Sequence, residues 1–224
     1  MVIIIKAFIF DLDGTLLDRN SSLKDFIEHQ YNRISDLHRI DKSIYVNRFI
    51  ELDQRGYVWK DKVYQQIKRE YDLSLSWEEL LEDYINNFNS HCIGFPNLHE
   101  LLGYLKNKGL KLGMITNGFS EFQIRNIEAL GIIHYFDTLL VSEIEGLRKP
   151  DPEIFIRALS NLGLQPEEAV YVGDHPENDV IASRNVGMKG VWKADVYYKE
   201  TFERDHTIED LMEIRSYFEH ILKE

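Results

Sequence analysis

A chain of 224 residues, 44% hydrophobic and 29% charged, has the composition of a folded globular protein and enough length to bury a core without disulfides. Its 26 basic against 38 acidic residues leave a net charge of −12, which argues against a nucleic-acid polymer as partner but allows a small anion held by local cations. A single cysteine, Cys92, excludes a disulfide framework or a cysteine zinc cluster.

The apolar start is interrupted by Lys6 and lacks the regions of a signal peptide. No stretch nears the roughly 20 apolar residues of a membrane span. A cytoplasmic protein without a membrane partner is expected.

In chain order, residues 2–10 (VIIIKAFIF) predict a buried parallel strand that runs into DLDGT at 11–15. Residues 22–91 predict helices only. Leu23, Phe26, Ile27, Gln30 and Tyr31 keep helical spacing after an N-cap at Ser22; residues 44–55 stop at Gly56; residues 59–71 follow; and Ser76 with Glu79 forms a capping box for a helix ending near Ser90. Strands and helices then alternate: helix 98–108, strand 111–116, helix 121–130, strand 138–141, helix 152–162 capped by Asp151, strand 169–173, helix 177–186 and strand 188–192. Residues 193–206 read as loop, and 207–222 as a final helix with Ile208, Leu211, Ile214, Phe218 and Ile221 on one face. This order predicts an α/β protein with a doubly wound parallel sheet, a Rossmann-like core at residues 1–17 and 93–224, and an inserted helical cap domain at 18–92.

Ligands of such sheets bind beyond the carboxyl ends of the strands. There the chain places Asp11 and Asp13, then Thr116 and Asn117 before Gly118, then Lys149 between strands, then Asp174 and Asp179. Two carboxylates two residues apart at the end of a buried strand repel unless a cation joins them or one keeps a proton. Taken singly, Thr116–Gly118 is equally a turn, Lys149 equally a solvated lysine, and Asp179 equally a partner of a helix dipole. Together they offer oxygen ligands for a hard cation, a nucleophilic carboxylate, an acid/base carboxylate, a hydroxyl and a lysine for phosphate.

FDLDGTLLD at 10–18, ITNG at 115–118, RKPDPEIF at 148–155 and VGDHPENDV at 172–180 resemble the four motifs of the haloacid dehalogenase-like (HAD) superfamily, in its subgroup with a helical cap after the first motif. The resemblance implies a phosphatase acting on a small-molecule phosphate monoester through an aspartyl-phosphate on Asp11. Asp13 would be the acid/base. Thr116, Asn117 and Lys149 would bind phosphate, and Asp11, Asp13, Asp174 and Asp179 would hold Mg2+ as cofactor. The partner expected is a small phosphorylated metabolite, a nucleoside monophosphate or a sugar phosphate. A phosphoglucomutase-like phosphotransferase shares the motifs. A 2-haloacid dehalogenase is disfavoured by Asp13, and an inactive binding protein by the complete set. Arg19, Tyr45, Arg48, Arg55, Trp59 and Tyr64 are candidates for substrate choice in the cap, equally readable as packing or solvated residues. His175 is a candidate to orient Lys149 or the phosphate, or a plain loop residue.

Overall fold

The computed structural model describes residues 4–222. The chain divides into two compact units, one running up to Asp18 and again from Gly94 onward, the other spanning Arg19–Ile93. Among the described residues no helix is long and apolar enough to cross a membrane.

The smaller unit holds α1 (Arg19–Arg33), α2 (Lys42–Asp53), α3 (Lys60–Tyr71) and α4 (Trp77–Asn87). The capping box opens α4: the Ser76 hydroxyl accepts from the Glu79 N–H at 3.2 Å, and Glu79 accepts from the Ser76 N–H at 2.9 Å. Ser22 is not an N-cap. Helix α1 begins at Arg19, and the buried Ser22 hydroxyl accepts the Ile93 N–H at 2.9 Å where the chain returns. Helix α2 ends at Asp53 because Gln54 and Arg55 enter the left-handed region (φ 46° and 59°) before Gly56.

Edge-on aromatic pairs, Phe26 with Tyr84 and Phe49 with Tyr64, fill this unit's interior. One of these rings, Tyr64, is anchored through its hydroxyl by a buried amide. Gln30 of α1 accepts from the Tyr45 hydroxyl of α2 and the Tyr64 hydroxyl of α3, both at 2.9 Å. It donates to the Leu80 carbonyl (3.2 Å) and the Asp83 carboxylate (2.9 Å) of α4. One side chain thus bonds to each of the other three helices, and the interior tolerates it because every polar atom is matched.

The larger unit carries β1 (Ala7–Phe10), β2 (Lys111–Thr116), β3 (Thr138–Val141), β4 (Ala169–Gly173), β5 (Lys189–Lys193) and β6 (His206–Ile208). They form one sheet in the order β3-β2-β1-β4-β5-β6, with every pair parallel. Around it stand α5 (Leu98–Asn107), α6 (Ser120–Ala129), α7 (Ser142–Glu145), α8 (Pro152–Leu162), α9 (Ala182–Asn185) and α10 (Glu213–Ile221). All residues of β1 and β4 are buried, as continuous apolar runs covered on both faces require. One face packs Ile9, Ile115 and Tyr171 against Ile154, Phe155 and Ala158 of α8. On the other, Phe8 meets Phe218 of α10 edge-on at 5.8 Å. Each such fully buried side chain contributes about 1.5–3 kcal/mol.

The doubly wound parallel fold is the one expected, with three departures. The first strand runs from Ala7, and Val2 and Ile3 of its predicted span lie outside the described residues. The predicted helix 177–186 is a π-helix, Pro176–Ile181, followed by the short α9, because Asp179 and Val180 both donate to the His175 carbonyl. The predicted helix 207–222 starts at Glu213, since His206–Ile208 instead pairs with β5 as the edge strand. Ile208, Leu211, Ile214 and Phe218 are buried as expected, but Ile208 reaches the core from the sheet.

Replacing Gln30 by Ala leaves two buried tyrosine hydroxyls without an acceptor, and should destabilise the helical unit by about 3 kcal/mol. Urea unfolding followed by tyrosine fluorescence measures this, and a loss below about 1 kcal/mol would show that water replaces the amide.

Candidate active site

Beyond the carboxyl ends of β1, β2 and β4, the sequence candidates converge. Asp11 follows β1, held in register by its N–H donating to the Val172 carbonyl at 2.9 Å. Lys149 is buried, and its ammonium donates to Asp11 Oδ1 at 2.5 Å, Asp179 Oδ1 at 2.7 Å and the Tyr171 hydroxyl at 3.1 Å. The solvated alternative for this lysine is thereby removed. Asp11, Asp174 and Asp179 each bring a carboxylate oxygen within 4.8 Å of the others.

This crowding depends on glycines. Gly14 has φ +87°, and a Cβ there would collide with the Asp174 carboxylate. A Cβ on Gly173 would collide with Asp179. The π-turn after His175 folds Asp179 back so that its Oδ2 accepts the His175 N–H at 3.0 Å. His175 itself does not orient Lys149: its Nδ1 accepts from the Glu177 and Asn178 N–H groups as the cap of that turn.

Asn117 acts on Lys149 through the backbone. Its Oδ1 accepts the Lys149 N–H and its Nδ2 donates to the Lys149 carbonyl, both at 2.9 Å. Both ends of the amide are therefore engaged in positioning the lysine. Thr116 is fully buried, and its Oγ1 accepts from Gln123 Nε2 at 2.7 Å. The same Nε2 lies 2.7 Å from Asp13 Oδ2, so Gln123 ties Asp13 to Thr116. The Asp13 carboxylate accordingly stands outside the three-carboxylate group.

Gln123, Tyr171 and Thr15, whose hydroxyl donates to Asp11 Oδ2 at 3.2 Å, were not singled out from sequence. Thr15 lies inside the DLDGT motif, and Gln123 is a polar residue on the buried face of an amphipathic helix. Of the residues considered for substrate choice, Tyr45 and Tyr64 are core residues bound to Gln30. Arg48 pairs with Glu70 and Glu51 at the surface, and Arg19 donates to Asp53.

The electrostatics show an excess of negative charge. Burial opposes the Lys149 ammonium, but Asp11 and Asp179 hold it protonated well above its ordinary value. Burial, opposed by the Lys149 charge and aided by that of Asp179, pushes the Asp11 carboxyl up to about 7. Burial and the Asp11 and Asp179 charges raise Asp174 well above its usual range. One ammonium cannot balance three carboxylates, and a dianionic phosphate could not approach them unaided. Three hard oxygen donors with this imbalance fit a divalent cation.

A buried carboxylate bridged by a buried lysine thus lies at the carboxyl edge of a doubly wound sheet, where the ligands of such folds bind. The haloacid dehalogenase-like hydrolase family model matches residues 8–193, and the chain belongs to that family. A Clostridium perfringens protein provisionally named pyrophosphatase PpaX is 35% identical over 193 residues, covering 83% of this chain and 82% of its own. A glyceraldehyde 3-phosphate phosphatase of Methanocaldococcus jannaschii is 31% identical over 223 residues, covering 94% and 95%. The crystal structure of a HAD phosphatase from Thermococcus onnurineus superposes with a TM-score of 0.68 at 29% identity, covering 95% of this chain and 97% of that one.

With EDTA present, the raised Asp11 carboxyl sets a pH signature. A carboxyl raised in the folded state contributes stability that is fully present below its usual 3.8 and is lost as pH rises through about 7. The stability of Asp11→Asn relative to wild type should therefore grow from pH 4 to pH 7 and level off above. Thermal melts of both proteins across that range test it, and a pH-independent difference would contradict the charge crowding.

Proposed function

We propose that the protein is a phosphatase that hydrolyses the phosphate ester of a small metabolite through an aspartyl-phosphate on Asp11. The observation that carries this is the Lys149 ammonium bridging Asp11 and Asp179 beside Asp174. It orients the nucleophile and supplies positive charge where phosphoryl oxygens must sit. The relatives named for pyrophosphate and glyceraldehyde 3-phosphate hydrolysis support the same chemistry.

In the first step an Asp11 oxygen attacks phosphorus and the bond to the leaving oxygen breaks. Asp13 gives its proton to that oxygen, so the alcohol leaves neutral. In the second step Asp13 takes a proton from water as the water oxygen bonds to phosphorus. The Asp11–phosphorus bond breaks and inorganic phosphate departs. Gln123 holds Asp13 in place for both transfers. The Thr116 hydroxyl, which receives Gln123 and donates to no described residue, can give its proton to a phosphoryl oxygen. Lys149, fixed by Asn117, neutralises another.

Asp11, Asp174 and Asp179, with Asp13, would hold Mg2+, Asp179 also accepting Lys149, Tyr171 and the His175 N–H. When bound, the ion supplies charge neutralisation that lets the anionic substrate enter and stabilises the transferring phosphoryl group. The helical unit serves as the cap that shapes substrate choice, and the enzyme works in the cytoplasm on a metabolite such as a sugar phosphate or a nucleoside monophosphate.

Phosphate release from p-nitrophenyl phosphate and a panel of metabolite phosphates, with Mg2+ or EDTA, tests the reading. Release should require Mg2+ and fall by about 10³-fold or more in Asp11→Asn. Turnover only in the presence of a bisphosphate activator would shift the assignment to a mutase, and release undiminished in Asp11→Asn would remove the nucleophile.

A further inference from the structure

Lys193 is a cation that the mechanism above does not use. It is the last residue of β5 and only 6% exposed. Among the described residues its ammonium makes no hydrogen bond and no ion pair, and its one neighbour of note is the Phe95 ring at 4.4 Å. It is also not among the buried polar atoms sealed from solvent. A lysine this buried is normally paired, because desolvating an ammonium costs more than a ring face returns.

Its place in the fold suggests what completes it. Gly173 of β4 pairs with Trp192 of β5, so Lys193 stands level with Asp174 one residue further on, at the carboxyl edge where ligands of parallel sheets bind. Adjacent strands lie roughly 4.8 Å apart, within the span of a small substrate. Trp192 fixes that edge, its Nε1 donating to the Asp174 carbonyl at 2.8 Å. Phe95 is fixed in turn, its N–H donating to the Leu16 carbonyl at 2.9 Å. The ring cradles the ammonium without consuming a hydrogen-bond donor, and the four-carbon stem lets the head swing towards the edge.

We propose that Lys193 is a specificity-determining residue that pairs with a second anionic group of the substrate, a carboxylate or a second phosphate, while the reacting phosphate lies on Asp11. The proposal rests on the phosphatase reading and narrows its substrate class to compounds carrying two anionic groups.

The test compares Lys193→Met and Lys193→Arg with wild type on two sets of substrates. Pyrophosphate and 3-phosphoglycerate carry a second anion, one a phosphate and the other a carboxylate; p-nitrophenyl phosphate and glycerol 2-phosphate carry none. Lys193→Met should lose about tenfold or more in kcat/KM on the first set, mostly through KM, and stay within about twofold on the second. Lys193→Arg should recover much of the loss. The member of the first set that suffers more identifies the kind of anion. Equal losses on both sets, or none on either, would overturn the proposal and leave Lys193 as a packing residue over Phe95. If wild type releases phosphate from neither set, the phosphatase reading fails, and binding decides the role of Lys193 separately. In the Asp11→Asn background with Mg2+, pyrophosphate or 3-phosphoglycerate should raise Tm, and Lys193→Met should abolish that rise while leaving the rise from inorganic phosphate intact. Should the Met variant not fold, Lys193→Gln serves in both measurements.

Discussion

The burial of one ammonium among three carboxylates is the constraint that the rest of the larger unit serves. Lys149, Asp11, Asp174 and Asp179 come from three separated stretches of chain, and the lysine is what offsets the mutual repulsion of the acids. Removing the lysine leaves a buried, uncompensated cluster; removing a single acid lessens the negative excess without reversing it. The surrounding devices hold this arrangement together. Two glycines leave room for carboxylates, a π-turn folds Asp179 back, and an amide clamps the lysine backbone. The site is thus strained electrostatically while its hydrogen bonds are satisfied, as expected of a centre tuned for charge transfer.

The helical unit is organised on the opposite principle. Its central polar residue, Gln30, is neutral and its hydrogen bonds are satisfied. Tyr45 and Tyr64 are consumed in that network and are unable to present their hydroxyls to a ligand.

Much of the sheet was legible because buried parallel strands are continuous apolar runs, and a polar residue ending such a run marks the ligand-binding edge. Strands at 111–116, 138–141 and 169–173 have the limits their apolar runs suggest. The edge strand at His206–Ile208 was not legible. Three residues cannot establish a period of two, and Ile208 continues the helical spacing of Leu211 and Ile214. Contacts set by tertiary distance were equally hidden. Tyr171 reads as one more apolar strand residue, yet its hydroxyl meets Lys149. Asn117 reads as a turn former, yet its amide binds a backbone 32 residues away. Lys193 was assigned to a loop, where a lone lysine is unremarked; only its place at the end of a strand, without a counter-ion, draws notice.

The position of β1 has a kinetic consequence. This strand is among the first segments of the chain, yet it sits inside the sheet between β2 and β4, whose residues lie about a hundred and more positions downstream. The helical unit is contiguous in sequence, so its contacts close over short loops. β1 must wait for both neighbours before its two edges are paired. The strand that Asp11 follows is therefore an unpaired hydrophobic segment until the later strands have been made, and its pairing closes loops far longer than any within the helical unit.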